Sequence, residues 1–253
     1  MTANKIEVAR RTIMKSSYLV CLQGHNASTD CGCIDYRDSN VAYDIEEKYG
    51  YSPEEMFHAS FYNARPEQFF KYYKQEMLEH TGTPGAGSLA LAQLEREGIL
   101  KCVITREIFS LARRAGCKNV VELHGSVFQN MCSHCRRDYS LEYVKKAKGV
   151  PLCEKCHRPI RPQVCLVGEQ VDNARVTRAA EEVEKADVLL LVCCSMNQRL
   201  VTTHLKYFDG NKVILINPLE HYSDIRADIV IHGRAAEILP KIVNAKREDD
   251  EKQ

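Results

Sequence analysis

The sequence has no excess of charge of either sign. Its 253 residues include 35 Lys and Arg against 34 Asp and Glu, which gives a formal net charge of +1 at pH 7. This balance provides no general electrostatic attraction to nucleic acid or to an anionic membrane surface. The sequence also has no long hydrophobic run, since the longest strongly apolar segment, residues 188–194, is too short to span a bilayer. We therefore expect neither a nucleic-acid nor a membrane partner.

A secretory signal is missing as well. The first residues, MTANKIEVARRTIMKSS, are charged and contain neither an apolar core nor a small-residue cleavage site. We therefore expect a cytoplasmic protein. We expect its twelve cysteines to be metal ligands, buried thiols or redox groups rather than a disulfide framework. The charged run at residues 246–253 is predicted to be a solvated end.

Two kinds of segment alternate along most of the chain. Short apolar runs rich in β-branched residues predict buried parallel strands at residues 17–22, 101–105, 188–194 and 212–217. Helical periodicity occurs at residues 88–97, 108–115, 176–185 and 198–208. The alternation predicts an α/β fold, a parallel sheet with helices on both faces and a ligand site at the strand ends. The aromatic and acidic residues 40–80 contain no clear strand and predict a helical insertion.

Cysteine spacing is the strongest local signal. Two C-x2-C pairs are separated by seventeen residues, and their members are Cys132, Cys135, Cys153 and Cys156. Each pair can supply two thiolates from one tight turn, so the spacing predicts a four-cysteine structural zinc site. His134 and His157 are alternative ligands, but four cysteines give the simpler site. A closed set of four thiolates leaves no open coordination position for catalysis.

A glycine turn follows the first predicted strand. Gly24 precedes a predicted helix N-terminus, which is a common position for a bound pyrophosphate. A single glycine is a weak signal, and by itself Gly24 is better explained by a plain strand-to-helix turn. Any assignment of a nucleotide site therefore depends on the rest of the chain.

Six segments, in order, resemble the motifs of the sirtuin family. They are QGHNASTDCGCIDYR, TREIFSLARRAG, VVELHGS, RPQVCLVGE, the strand ends CCSMN and LIN, and DIVIHGRAAEILPKI. Together they cover residues 5–243 almost completely. The chain is therefore identified as a divergent member of the sirtuin family.

The resemblance implies a domain organisation and two ligands. A Rossmann-like large domain would comprise residues 1–39, 81–125 and 161–253, with the helical insertion at 40–80 and a zinc-ribbon module at 126–160. NAD and an acylated lysine of a protein or peptide would meet between the large and small domains. Breakage of the nicotinamide bond would then be coupled to transfer of the acyl group.

The resemblance also assigns roles to individual residues. His124 matches the family's catalytic histidine, which deprotonates a ribose hydroxyl, and an imidazole suits that role near neutral pH. The cofactor-binding residues implied are Gly24, His25, Asn26, Ser28, Asp35, Tyr36, Arg37, Arg106, Glu107, Ser195 and Asn217. The substrate-binding residues implied are Val167, Gly168 and Glu169.

Departures from the family pattern concentrate at the nicotinamide end of the pocket. His25 and Asn26 replace an alanine and a glycine, and their side chains would either block a pyrophosphate or bind something there. Arg106, Glu107 and Phe109 replace a glutamine, an asparagine and an aspartate. Buried charges at Arg106 and Glu107 must pair, either with each other or with a ligand.

The remaining departures involve cysteines. Cys193 and Cys194 stand where the family has glycine and threonine, and together with Cys31 and Cys33 they are predicted to lie near the pocket. We expect these thiols to act as small buried hydrophobic groups rather than as a redox switch.

Three functions are compatible with these residues. The family implies an NAD-dependent protein-lysine deacylase. The rewritten pocket is also compatible with a catalytically inactive nucleotide- or peptide-binding protein. A further alternative is an ADP-ribosyltransferase or NAD glycohydrolase, because losing the deacylation geometry need not abolish cleavage of the glycosidic bond.

Overall fold

Parallel strands form the central sheet. The computed structural model describes residues 2–244, so the charged run at 246–253 lies outside the described residues. The strands are β1 (Leu19–Gln23), β2 (Leu100–Thr105), β3 (Val120–Glu122), β4 (Gly125–Cys132), β5 (Asp138–Tyr139), β6 (Ile160–Val164), β7 (Val188–Val192), β8 (Lys212–Ile216) and β9 (Ile229–Ile231). Six of them form a parallel sheet in the order β3-β2-β1-β7-β8-β9, and an antiparallel sheet has the order β5-β4-β6.

Helices occupy most of the remaining chain. They are α1 (Thr2–Lys15), α2 (Asn26–Thr29), α3 (Ser39–Tyr49), α4 (Pro53–Met56), α5 (Ala59–Ala64), α6 (Pro66–Tyr72), α7 (Ala86–Arg96), α8 (Leu111–Arg114), α9 (Leu141–Lys146), α10 (Asn173–Glu184), α11 (Arg199–His204) and α12 (Ala235–Asn244). A π-helical turn covers Tyr73–Leu78, and 3₁₀ turns cover Leu205–Tyr207 and Tyr222–Arg226. Within residues 2–244, the helices are too short or too polar for any of them to cross a bilayer.

Burial on both faces of the sheet explains why the strands could be recognised from continuous apolar runs. Leu19 and Cys21 of β1 pack with the core that α1, α7 and α12 cover, whereas Val20 and Leu22 pack with the core under α10 and α11. A strand buried on both faces has no polar alternation, which is why its apolar residues are consecutive. All four predicted strands are confirmed within two residues at each end.

One strand of the sheet and one helix packed on it were not predicted from the residue pattern. Strand β3 is only three residues long, so it carries too little periodicity to be distinguished from a loop. Helix α1 was considered only as a charged N-terminal segment, yet Ala9 and Ile13 are fully buried on one of its faces. Apolar residues four positions apart lie on the same side of a helix, so this pair was the available signal.

The predicted helical insertion and the cysteine-rich segment share one hydrophobic core. Phe69 and Tyr72 of α6 belong to the same buried cluster as Val127 of β4 and Val144 of α9. Aromatic rings supply much of this core, and Phe69 stacks on Tyr73 with ring centroids 5.4 Å apart. The insertion is helical as predicted, and it packs together with the cysteine-rich segment rather than as a separate unit.

The strand order creates a crevice at one edge of the large sheet. From β1 the chain continues to β2 and β3 on one side, and it later returns to β7, β8 and β9 on the other side. Loops after β1 and β7 therefore diverge at the switch point where α/β sheets bind ligands. The two strand ends approach closely, because the N–H of Gly24 donates to the carbonyl of Val192 at 2.8 Å. A Cβ on Gly24 would lie 2.2 Å from the carbonyl oxygen of Cys193, so only glycine fits.

Candidate functional site

Four cysteine sulfurs come together at the end of the small sheet. All four Sγ atoms of Cys132, Cys135, Cys153 and Cys156 lie within 4.8 Å of one another. The closest approaches are 3.4 Å between Cys132 and Cys156 and 3.5 Å between Cys135 and Cys153. A tetrahedral zinc ion with Zn–S bonds of about 2.3 Å holds its sulfurs roughly 3.8 Å apart. The four residues therefore fit a structural Zn²⁺.

Each cysteine pair forms the same kind of turn. The residue after the second cysteine has a positive φ in both turns, 61° at Arg136 and 55° at His157. Their backbone N–H groups donate to the carbonyls of the first cysteines, Cys132 and Cys153, at 3.2 and 2.9 Å. His157 is thus a turn residue, and the metal-type cluster found among the described residues consists of cysteines only.

Tyr139 is a supporting residue that the sequence did not single out. Its hydroxyl donates to Sγ of Cys153 at 3.0 Å and accepts the backbone N–H of Glu154 at 2.9 Å. Such hydrogen bonds orient a metal ligand and stabilise its thiolate form. Nothing in the spacing of the cysteines pointed to Tyr139, because it reaches the site through strand β5.

The nucleotide loop after β1 turns directly into the short helix α2. His25 precedes this helix with α-helical backbone angles, φ −67° and ψ −26°, and Ser28 is buried within it. Asn26, which replaces a family glycine, is the first residue of α2 and is not among the residues with a positive φ, so this position does not need the left-handed backbone that glycine favours. Instead Cys193, which replaces a family glycine, has φ 55°. The strained backbone position therefore lies in the facing loop.

A second part of the loop holds Asp35, Tyr36 and Arg37. The Asp35 carboxylate accepts the backbone N–H of Arg37 at 3.1 Å, and the Arg37 guanidinium lies 4.9 Å from the centroid of the Tyr36 ring. Burial lowers the pKa of the nearby His25 imidazole, and the positive charge of Arg37 lowers it further. His25 is thus held in its neutral form beside an arginine.

His124 lies where three chain segments meet. It follows β3, and Nε of Arg106, which follows β2, donates to its Nε2 at 3.1 Å. Its backbone carbonyl accepts the N–H of Cys165, the residue after β6, at 2.8 Å. Because Nε2 accepts this hydrogen bond, the ring proton of a neutral His124 must be on Nδ1.

The pKa of His124 is lowered to about 4. Burial is the largest cause, and the positive charges of Arg106, Arg37 and Arg199 act in the same direction. A histidine in this environment is deprotonated at neutral pH and can accept a proton, but it is a weaker base than an ordinary imidazole.

The side chain of Glu107 does not contact His124 as that of Arg106 does. Its buried carboxylate accepts the backbone N–H groups of Phe109 at 2.6 Å and Leu111 at 2.9 Å, so it caps the start of α8. Burial raises its pKa to about 7, although these two hydrogen bonds oppose the shift. Of the two alternatives considered, a pairing of Arg106 with Glu107 is not found among the described residues, and pairing with a ligand stays a prediction. Phe109 is also turned away, and it belongs to the core that the insertion shares with the cysteine-rich segment.

The capping role of Glu107 can be tested by its effect on stability. We expect Glu107→Ala to lower the free energy of unfolding by about 2 kcal/mol, because two buried N–H groups lose their acceptor. Glu107→Gln keeps one acceptor oxygen and should cost about 1 kcal/mol. Urea unfolding at constant m-value measures both. Equal losses in the two variants would contradict a role as acceptor of two hydrogen bonds.

The three predicted substrate residues lie after β6 and contact the insertion. Val167 donates its N–H to the carbonyl of Phe57 and accepts the N–H of Ala59, both at 3.0 Å. Gly168 has φ 87°, and a Cβ there would lie 2.8 Å from the ring of His58. The Glu169 carboxylate pairs with Arg161 at 2.5 Å. This loop thus connects β6 to the helical insertion, and nothing in the residue pattern singled out His58.

Buried polar atoms without protein partners mark the crevice. Oδ1 of Asn217, after β8, and Oε1 of Gln23, at the end of β1, have no hydrogen-bond partner among the described residues. Buried polar atoms normally have partners, so these two acceptors point to a polar ligand at the carboxyl edge of the sheet. Ser195 Oγ is exposed to the same edge and donates to Oδ1 of Asn197 at 2.5 Å.

A small cavity at this edge adds residues that the sequence missed. Gln23, Cys31 and Cys193 line it together with Gly85 and Ser88 from the start of α7. Three features of this edge fit a nucleotide cofactor: the glycine where β1 and β7 approach each other, the buried acceptors without partners, and the N-terminus of a helix. Cys31 and Cys193 have raised pKa values because burial disfavours their thiolates, consistent with hydrophobic packing.

The α/β fold, the crevice and the four-cysteine cluster define a nucleotide-binding protein with a structural metal module. The sequence model of the Sir2 family matches residues 24–199. An NAD-dependent protein deacetylase from Clostridium acetobutylicum is 33% identical over 241 residues, which cover 95% of this chain and 98% of that protein.

Solved structures agree with this match. A crystal structure of a Sir2 homolog–NAD complex superposes with a TM-score of 0.82 at 32% identity, covering 96% of this chain and 94% of that chain. A Sir2 variant bound to a p53 peptide and NAD superposes with a TM-score of 0.78 at 25% identity, covering 96% and 99%. The chain therefore belongs to the Sir2 family, the sirtuins, and the Rossmann-like fold expected from the resemblance is confirmed.

Proposed function

We propose that this chain is an NAD-dependent protein-lysine deacylase. The observation that carries the proposal is the position of His124, which joins the end of β3 to the substrate loop through Cys165 and faces the nucleotide side through Arg106. A base at this junction can reach a group that reacts between a nucleotide bound on one side and a substrate bound on the other. Its relatives are named as NAD-dependent deacetylases or were solved with NAD and with a peptide.

The residues that would hold NAD follow from the crevice. Gly24, His25, Asn26 and Ser28 would contact the pyrophosphate, and Ser195 and Asn217 would hold the phosphates and the adenine ribose. Asp35, Tyr36, Arg37, Arg106 and Glu107 complete the predicted set, with Glu107 acting through the cap of α8. Bound NAD supplies a glycosidic bond whose cleavage leaves an electrophilic ribose carbon. His124 would then accept the proton of a ribose hydroxyl at Nε2.

The substrate would bind across the domain junction. Val167, Gly168 and Glu169, in the loop that follows the link between Cys165 and His124, would contact a peptide carrying an acylated lysine. Zinc bound by the four cysteines would fix the small domain that forms one wall of this groove. We propose the domain boundaries 1–39, 81–125 and 161–253 for the large domain, 40–80 for the insertion and 126–160 for the zinc module, and a cytoplasmic location.

One contact favours the binding-protein alternative. Nε2 of His124 accepts a hydrogen bond from Arg106, and this is the atom that must accept the substrate proton. As long as the bond persists, the protein can bind a nucleotide or peptide without turning it over. Whether Arg106 is displaced from His124 when ligands bind therefore distinguishes the deacylase from the inactive binding protein.

The experiment combines binding and turnover on zinc-loaded protein. NAD and ADP-ribose affinities are measured by calorimetry, and nicotinamide release is measured with and without acyl-lysine peptides. Peptide-dependent release with loss of the acyl group supports the deacylase. Nicotinamide release without peptide indicates an NAD glycohydrolase. Nicotinamide release that leaves ADP-ribose attached to a protein indicates an ADP-ribosyltransferase. Nucleotide binding without nicotinamide release indicates the inactive binding protein. Binding of neither nucleotide would overturn all the NAD-based proposals.

A further inference from the structure

The Glu169 carboxylate is turned into its own loop. Its Oε2 accepts the backbone N–H of Leu166 at 2.9 Å, and the guanidinium of Arg161 donates to both carboxylate oxygens at 2.5 and 2.6 Å. The side chains of Arg161 and Glu169 are only 32% and 25% exposed. A partly buried ion pair with a further hydrogen bond holds its groups more firmly than a solvated surface pair does.

These contacts close a tight turn at residues 166–169. The N–H of Glu169 donates to the carbonyl of Leu166 at 3.0 Å, and Gly168 within the turn has φ 87°. This is the backbone conformation that glycine favours at the third position of a β-turn. The Glu169 carboxylate adds a second hydrogen bond across the same turn, to the Leu166 N–H. The turn is therefore fixed both by its backbone and by one side chain.

Arg161 connects this turn to two other parts of the protein. It lies in β6, where it pairs with Met131 of β4 in the sheet that carries zinc-type cysteines. Its guanidinium also lies 5.5 Å from the ring centroid of Tyr62, which packs edge-to-face on Phe69 in the core of the insertion. A planar guanidinium can pair with a carboxylate and lie over an aromatic ring at the same time. Arg161 therefore joins the turn to the small sheet and to the insertion.

Two backbone groups of the turn remain available to a ligand. The N–H and the carbonyl of Val167 are used by the insertion, through Phe57 and Ala59. Those of Gly168 have no backbone hydrogen-bond partner within the described part of the chain. An extended peptide binds through backbone groups of this kind. Their direction depends on the turn, which the ion pair holds in place.

We propose that Arg161 is a positioning residue for the peptide, acting through Glu169 to hold the turn that presents the free backbone groups of Gly168. The inference rests on the proposed deacylase function for its substrate, a peptide carrying an acylated lysine. It gives the Glu169 carboxylate the role of shaping the loop, with its charge balanced before any peptide binds. Arg161 forms its ion pair with Glu169 and not with the catalytic histidine, so its loss should affect peptide binding more than chemistry.

Steady-state kinetics of the zinc-loaded protein, with an acetyl-lysine peptide and saturating NAD, test this role. Arg161→Gln should raise KM for the peptide by about 10-fold and change kcat by less than about twofold, because the turn then has to be ordered when the peptide binds. Arg161→Lys keeps one nitrogen donor that can meet both carboxylate oxygens, so it should recover most of the affinity. The matched control is Arg11→Gln, which breaks a similar contact with Glu7 on α1 and should change neither value.

A double-mutant cycle shows whether Arg161 acts through Glu169. In a Glu169→Gln background, Arg161→Gln should raise KM by less than about twofold, because the carboxylate that Arg161 orders is already gone. A KM increase as large as in the wild-type background overturns the proposal, as does an unchanged KM in Arg161→Gln alone. Parallel losses of kcat, NAD affinity and Tm would assign Arg161 a general structural role and would also overturn it.

Hydrogen exchange separates failure of this inference from failure of the deacylase function. The amides of Leu166 and Glu169 are hydrogen-bonded within the turn, so they should exchange about 10-fold faster in Arg161→Gln than in the wild type, without any substrate present. Equal exchange rates together with peptide-dependent turnover overturn the inference and leave the function standing. Faster exchange in a protein that does not deacylate the peptide is the reverse case, in which the deacylase function fails and Arg161 still sets the turn.

Discussion

Replacement of His124 by alanine is expected to lower the rate of NAD-dependent deacylation by about 100- to 10,000-fold, the usual contribution of a positioned general base. NAD affinity should change by less than about threefold, because the role proposed for His124 is at the ribose and not at the pyrophosphate loop. Single-turnover release of nicotinamide and calorimetric binding of NAD measure the two effects separately.

An exposed histidine outside the proposed catalytic and binding residues serves as the control. His80 is exposed and bonds the backbone carbonyl of Glu76 at 2.8 Å, so His80→Gln should leave both rate and affinity unchanged. A His124→Ala variant that loses NAD affinity as much as rate would show that the imidazole binds rather than accepts a proton. Full activity would remove His124 from the mechanism.

The same residue predicts the pH dependence of activity. With a pKa lowered to about 4, His124 stays deprotonated between pH 8 and 5, so its protonation should not reduce kcat/KM in that range. Arg106→Gln removes one nearby positive charge, so the pKa should rise and the acid limb should move toward 6.5. The folded state also resists protonation of His124, so its contribution to stability is present above about 6.5 and is lost as the pH falls toward 4.

The sheet could be predicted because the apolar residues of each buried strand are consecutive in the sequence. The run at 188–194 is apolar throughout since both faces of β7 are buried, and no other part of the chain had to be known to see it. The metal module was predictable for the same reason, because two short turns contain all four ligands. The resemblance assigned a catalytic role to His124 and a substrate role to residues 167–169, and in the structure the carbonyl of His124 accepts the N–H of Cys165, which starts the loop to those residues.

The direction of charged side chains at the strand ends could not be predicted. Arg106 and Glu107 are adjacent in sequence, yet one turns to His124 and the other to the backbone of α8. Which way each side chain points depends on unpaired N–H groups several residues later and on a histidine from another strand. Sequence alone shows that a charge is present and must be compensated, but the compensating group is set by the tertiary structure.

Loss of zinc is expected to have the largest effect on stability. Cys153→Ser removes a thiolate ligand, the sulfur that also accepts the Tyr139 hydroxyl, so we expect the free energy of unfolding to fall by more than about 4 kcal/mol. For a chain of this size such a loss lowers Tm by about 10 °C or more. Calorimetric unfolding with metal analysis of the purified variant measures both quantities. Chelation of the wild-type protein should reproduce the effect, and added Zn²⁺ should reverse it only in the wild type.

The effect should extend from the metal to the active site. Strand β4 runs from Gly125, next to His124, to the zinc ligand Cys132, and it pairs with β6 at both ends, with an irregularity between Ser126 and Asn130. Disorder at the cysteine end would therefore loosen the junction that positions His124, and activity should fall together with metal content. Cys165→Ser is the matched control, since that cysteine lies near His124 but outside the zinc cluster. If Cys153→Ser and Cys165→Ser melted at the same temperature with equal zinc content, the four cysteines would not be a metal site, and the small-domain core alone would hold β4 in place.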